Sequence, residues 1–227
     1  MRDGRTDTGE IYDDLQRRLV TGRFAPSAKL MPSALQHDYG CSANTVRDVL
    51  LQLSKVGLVD FEMQKGFRNR AVSRKRRADL ARFRVLIESE GAVESMRNGG
   101  LAWETRLIAA HHALSHIESQ IARSTDSSPF VGYWSDAEQT FHETLVSECR
   151  MPLLIETFRT VYMQFRQQIF GLQPTYAPTY FQPVIAEHRA ILDAALSGEP
   201  ERMRAAVSAH QARHLSSAAI GTEEPSR

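Results

Sequence analysis

The stretch SANTVRDVLLQLSKVGLV, residues 42–59, constrains the fold more than any other part of the chain. Ser42 predicts a helix start, because its hydroxyl can accept from a backbone N–H two or three residues on, and Gly57 can adopt the left-handed conformation that stops a helix. Between them Val46, Val49, Leu50, Leu53 and Val56 recur at helical spacing on one face, while Ala43, Asn44, Arg47 and Asp48 fall on or beside the other. The exposed first turns are therefore small, polar and cationic. Such a layout suits a helix whose N-terminal end enters the major groove of DNA, where Asn and Arg can hydrogen-bond base edges. An ordinary amphipathic helix with a solvated face would share the pattern, so the neighbouring segments decide between the two.

Upstream, Asp7 and Glu10 have capping-box spacing, and Ile11, Leu15, Leu19 and Val20 mark a helix that ends near Gly22. Pro32 and Ser33 open a short second helix carrying Ala34, Leu35 and Tyr39, and Gly40 ends it. Two helices and a tight turn at Gly40, Cys41 and Ser42 make the central stretch the third element of a helix-turn-helix. Downstream, LVDFE alternates apolar and polar, MQKG reads as a turn, and FRNRAV alternates again with Arg68 and Arg70 on one face. This predicts a β-hairpin, or wing. Gly66 permits close approach of backbone to a phosphate, and Lys65 adds charge or reaches into the minor groove.

Charge supports a division into two parts. Residues 1–77 carry 15 Lys and Arg against 9 Asp and Glu, a formal +6; residues 78–227 carry 13 against 18, a formal −5, restoring the overall +1. A basic module joined to an acidic one suggests a polyanion-binding head, although Arg74 to Arg77 supply four of the positive charges and could form a solvated linker. No apolar run approaches a membrane span or signal core, which predicts a cytoplasmic protein. Cys41 and Cys149 are far apart in apolar contexts and read as buried free thiols rather than a disulfide or a metal cluster.

Three helices and a hairpin, with the segments IYDDLQRRLVTGRFAP and GCSANTVRDVLLQLSKVGLV and the wing Gly66, closely resemble the winged helix-turn-helix of the GntR family of bacterial transcription regulators. The resemblance implies DNA contacts at Ser42, Asn44, Thr45 and Arg47 on the recognition helix and at Lys65 and Gly66 in the wing, where Arg68 is most simply a phosphate contact. Many relatives carry Arg where Ala43 and Ser33 stand here, which implies a different operator and leaves Arg47 as the main candidate for a bidentate guanine contact.

Residues 71–77 read as an exposed basic linker, and helices are expected at 78–98, 101–123, 130–149, 152–171, 182–197 and 200–219. Within them Glu138 and His142 stand four apart and share a helix face, and His188 and His210 lie on the last two helices. Three imidazoles and a carboxylate would suit zinc, nickel or manganese. Nothing local requires an ion, and Glu138 with His142 could be a simple helix-stabilising pair.

This half resembles the FCD effector-binding domain of the FadR-type branch of the same family, through RVLIESEGA, the pair Phe141 and His142, EHRAILDAAL, and a His 22 residues after His188. The resemblance implies an antiparallel bundle of six or seven helices. It also implies a divalent metal held by Glu138, His142, His188 and His210 that helps capture a small carboxylate, with Glu where relatives usually carry Asp. Arg84 matches a pocket Arg of the family, where its guanidinium would grip that carboxylate; a local ion pair with Glu88 is the plainer alternative.

The expected whole is mainly α: a winged helix-turn-helix over 1–72, a linker over 73–77, a helical effector-binding and dimerisation domain over 78–221 and a disordered tail over 222–227. Its expected function is a homodimeric, ligand-responsive repressor on a near-palindromic operator. A metal-dependent hydrolase and a non-specific architectural DNA-binding protein are the alternatives.

Overall fold

A computed structural model describes residues 7–173 and 175–215 of the chain; the expected tail over 222–227 lies outside them. The head opens with α1 (Thr8–Val20), where Asp7 and Glu10 form the reciprocal capping box and Ile11, Leu15, Leu19 and Val20 are buried. There follow β1 (Lys29–Leu30), α2 (Pro32–Tyr39), α3 (Ala43–Lys55), β2 (Val59–Glu62) and β3 (Gly66–Asn69). Ser42 caps α3 by accepting from the Thr45 N–H at 3.1 Å, and the chain turns out of the helix at Gly57, whose φ is +76°. A Cβ on Gly57 would also stand 2.7 Å from Gln164 Nε2, so a larger residue there would displace that amide as well as strain the turn.

The predicted hairpin is β2 and β3, paired antiparallel with Phe61 opposite Phe67. One strand escaped the sequence. Lys29 and Leu30 pair with Arg68 and Phe67, making a three-stranded sheet in the order β1-β3-β2. Two residues are too few for alternation to register.

The second half is all-α among the described residues: α4 (Arg74–Asn98), α5 (Gly100–Arg123), α6 (Val131–Val146), α7 (Pro152–Leu172), α8 (Phe181–Ser197) and α9 (Pro200–Leu215), with single 3-10 turns at Ser128–Phe130 and Pro178–Tyr180. A winged helix-turn-helix followed by an all-α bundle is the architecture expected. The linker differs: Arg74 to Arg77 are not an extended connection but the first turn of α4, capped by Ser73, whose hydroxyl accepts from the Arg76 N–H at 3.1 Å. The cap and the following good helix formers outweigh the lack of an apolar stripe. Around the central α4 pack α9, α7 and α6, while α5 packs on α6 and α8.

Head and bundle meet along α7. Gln164 donates to the carbonyl of Val56 at 2.9 Å, and Gln167 donates to the carbonyl of Leu58 at 2.7 Å and to Asn69 Oδ1 at 2.9 Å. Gln168 accepts from the Ser73 N–H at 2.9 Å and donates to the carbonyl of Ala71 at 3.1 Å. These three amides hold the backbone at the exit of α3 and at the exit of the wing, which fixes the head's orientation on the bundle.

Candidate functional sites

The residues expected from resemblance to meet DNA lie at the start of α3 and in the β2–β3 hairpin. On α3, Ser42, Asn44 and Arg47 are exposed and Thr45 is half-buried. Ser42 and Thr45 are partly committed to each other, since their hydroxyl oxygens are 2.9 Å apart and Ser42 also serves as the cap. The Arg47 guanidinium lies 5.7 Å from the ring centroids of both Phe61 and Phe67, so the helix and the wing present one continuous surface. In the wing, Lys65 is paired with Glu62 at 2.6 Å, Gly66 has φ +82° with open space around its Cα, and Arg68 donates to the carbonyl of Ser27 at 3.0 Å. Met63, at the hairpin tip, is 85% exposed and was not singled out in the sequence.

Inside the bundle, helix periodicity brings Glu138 and His142 of α6 to one face, and α8 and α9 deliver His188 and His210 beside them. All four are buried, and one ligand atom from each falls within 4.8 Å of the others. The quartet proposed from resemblance is therefore a spatial cluster. His142 Nδ1 contacts Glu88 Oε1, and His210 Nδ1 lies 3.0 Å from Glu187 Oε2. His188 Nδ1 lies 2.9 Å from Glu118 Oε1, although off the line of a hydrogen bond. A carboxylate on Nδ1 favours the proton there and leaves Nε2 as the lone-pair atom, the usual arrangement behind a metal-binding histidine.

His142 Nε2 and His188 Nε2 are buried and have no hydrogen-bond partner among the described residues. Glu138 is held by its far oxygen: Oε2 accepts from the Tyr162 hydroxyl at 2.8 Å and contacts Arg166, while Oε1 is 3.6 Å from His142 Nε2, beyond hydrogen-bonding reach. Tyr162 and Arg166 thus anchor the longer arm that Glu brings in place of Asp. Buried donors left unpaired on the side where four potential ligands converge fit a divalent ion.

Titration in the cluster follows from burial and neighbours. Burial alone would raise the Glu138 carboxyl, but Arg166, His142 and Arg84 outweigh it and hold it at about 2. Glu88 is likewise held at about 2, by Arg84 and His142 against burial. Burial lowers His142 despite Glu88, and burial together with His188 and His142 lowers His210 well below the usual range. Ionised carboxylates and neutral imidazoles are the protonation states a metal requires.

Arg84 is wholly buried, and its Nε and Nη2 both donate to Glu88 Oε2, at 3.1 and 2.8 Å. The plainer reading of Arg84, the ion pair with Glu88, is therefore present, and it supports His142 from behind. Sequence reasoning missed Glu118, Tyr162, Arg166 and Glu187 altogether. Arg166 left a usable signal, a cation set among Phe158, Tyr162, Phe165 and Ile169 on the apolar stripe of its helix. Of the remaining histidines, His112 and His116 are exposed, His111 packs edge-on against Phe141 at 5.7 Å, and His214 packs against Phe165 at 5.1 Å. Cys41 and Cys149 are free thiols, the second buried as expected and the first only half-buried, because it sits in the turn between α2 and α3.

Residues 79–213 match the FCD domain, and residues 7–68 match the family described as bacterial regulatory proteins, gntR family. The chain is 30% identical over 191 residues, 84% of its length and 76% of the relative's, to the uncharacterized HTH-type transcriptional regulator BphR of Paraburkholderia xenovorans (strain LB400). It is 28% identical over 165 residues, 73% of this chain and 70% of the other, to the HTH-type transcriptional repressor GlaR of Escherichia coli (strain K12). In fold it is similar to E. coli McbR/YncC, with a TM-score of 0.76 at 18% identity covering 92% of this chain and 94% of that one. These relatives are regulators, not hydrolases, and proteins of this kind bind DNA operators, typically as dimers. With both of its domains accounted for, the chain belongs to the GntR family as an HTH-type transcription regulator carrying an FCD domain.

Proposed function

We propose that the protein is a homodimeric, cytoplasmic repressor whose bundle binds a small carboxylate beside a divalent metal and thereby alters the grip of its head on a near-palindromic operator. In each copy α3 enters the major groove, with Asn44 and Arg47 reading base edges and Ser42 and Thr45 at the groove wall. Lys65, Gly66 and Arg68 meet phosphates, which position the head without reading sequence. Phe83 and Leu86, 43% and 67% exposed and one turn apart on α4, support a second copy packed on the bundle. Among the described residues no helix is long and apolar enough to cross a membrane, in keeping with work at the chromosome.

Glu138, His142, His188 and His210 would hold the metal, zinc, nickel or manganese by their mixed nitrogen and oxygen donors. When bound, the ion supplies a positive charge that draws an anionic effector into the core. Arg84, with its fork on Glu88, offers that effector a single further donor, Nη1. The observation that carries this reading is that one helix touches both sites. Tyr162 and Arg166 of α7 hold Glu138, while Gln164, Gln167 and Gln168 of the same helix hold the ends of the recognition helix and the wing. An effector releases DNA only to the extent that it prefers the arrangement that does not bind the operator.

Footprinting tests the regulator. A protected near-palindrome is expected, with Arg47→Ala weakening it by about 1–3 kcal/mol; equal binding of wild type to random DNA would return the architectural alternative. Elemental analysis tests the metal. The His142→Ala, His188→Ala double variant should lose the ion that wild type retains, and equal content in both removes the site.

A further inference from the structure

The bundle buries two arginines beside the quartet, and they differ in which edge of the guanidinium is committed. Arg84 spends the edge formed by Nε and Nη2 on Glu88 and keeps only Nη1 without a partner. Arg166, 2% exposed, does the opposite: Nη1 meets Glu138 Oε2, while Nε and Nη2 have no hydrogen-bond partner among the described residues. Nε and Nη2 form the fork whose two parallel N–H bonds match the two oxygens of a carboxylate. Two unpaired donors on a buried cation are costly to maintain, and in natural proteins such atoms are met by a ligand, an ion or a water.

The surroundings point the fork at a ligand rather than at the protein. The Trp134 and Phe170 rings lie 4.5 and 4.8 Å from the guanidinium carbon with their own centroids 6.0 Å apart, so they flank adjoining sides of the cation and offer it no hydrogen-bond acceptor. Tyr176 packs edge-on against both, at 5.4 and 5.8 Å, and its buried hydroxyl has no partner either. From this geometry we infer that Arg166, and not Arg84, carries the bidentate grip on the effector's carboxylate, with the Tyr176 hydroxyl as a third donor and the Trp134, Phe170 and Tyr176 rings enclosing the body attached to it. The inference rests on the carboxylate-sensing reading above and names the residues that perform the sensing.

The zinc-loaded full chain is titrated calorimetrically with acetate and with benzoate, alongside Arg166→Lys, Arg84→Lys and Tyr176→Phe. Arg166→Lys keeps a cation on Glu138 but loses the fork. It should bind both acids about ten- to a hundredfold more weakly than wild type when the two are compared at equal zinc occupancy. Arg84→Lys should change acid affinity by less than about threefold. Unchanged affinity in Arg166→Lys, or a larger loss in Arg84→Lys, overturns the assignment. So does a loss of acid affinity in Arg166→Lys that disappears at equal zinc occupancy, which would leave Arg166 a positioning residue for Glu138 alone. Should Arg166→Lys fail to fold, Tyr176→Phe decides: a loss of roughly threefold or more is expected, and none overturns the proposal. A wild type that binds neither acid removes the carboxylate reading along with this one, while its operator affinity, measured separately, still tests the regulator.

Discussion

In the head, the buried side chains from Ile11 to Phe67 are apolar, and the one buried polar residue described there, Asn69, has its amide fully used, donating to the carbonyls of Phe24 and Ala25 and accepting from Gln167. The bundle behind it encloses Arg84, Glu88, Glu118, Glu138, Arg166 and three histidines of the quartet in the same interior as Trp103 and Phe141. Both are close-packed, but they answer to different demands. A reading head must hold a helix and a wing in fixed register, which apolar packing achieves at no electrostatic cost. A sensing core must bury charge in order to bind charge, and it tolerates local departures from good packing to do so.

Volume-conserving substitutions separate the two cores most strongly. Leu53→Met in the head should cost less than about 1.5 kcal/mol, because size and polarity are kept. Arg84→Met in the bundle should cost about 3–5 kcal/mol despite its similar bulk, because Glu88 is left as an uncompensated buried charge against His142. Denaturant unfolding of the two variants measures both, and equal costs would erase the distinction. Next in size is the seam between the regions. Gln167→Ala leaves Asn69 Oδ1 without a donor, takes from the Leu58 carbonyl one of its two donors, and should cost about 1–3 kcal/mol. Tryptophan fluorescence reports on the bundle alone, since Trp103 and Trp134 both lie there. In Gln167→Ala its transition should part from the loss of operator binding, whereas coincident transitions would make head and bundle one cooperative unit regardless of the latch.

The smallest effect is mild acidification. Burial, with His188 and Arg189, depresses His111 to about 4, and burial, with Arg77 and Arg213, depresses His214 to about 3. The unfolded chain takes up these protons below about 6.5, whereas the folded one does so only near the depressed values. Stability conferred by the neutral rings is therefore level above about pH 6.5 and declines as pH falls toward 4, by less than the roughly 1.4 kcal/mol per pH unit that one full proton sets for each ring. A bundle that melts identically at pH 7 and pH 5.5, followed by its tryptophan fluorescence, would contradict this slope.

Much of this molecule was legible in the chain because its signals are local. The Asp7 and Glu10 box, the Ser42 cap, the turn at Gly57 and the apolar spacing from Val46 to Leu53 each depend on residues within a few positions of one another, and they determined α1, α3 and the wing. The Glu138 and His142 pair lay within one turn, and the two distant histidines were placed beside it by family resemblance rather than by any pattern in the residues. Tertiary structure alone decided the rest. It set Glu88 on His142 across 54 positions of chain, Tyr162 and Arg166 on Glu138, and the glutamines of α7 on the head. It also decided which arginine keeps an open fork. The sequence contains both arginines, but the partner that occupies a guanidinium edge is chosen by how helices pack, and packing joins residues that no local periodicity relates.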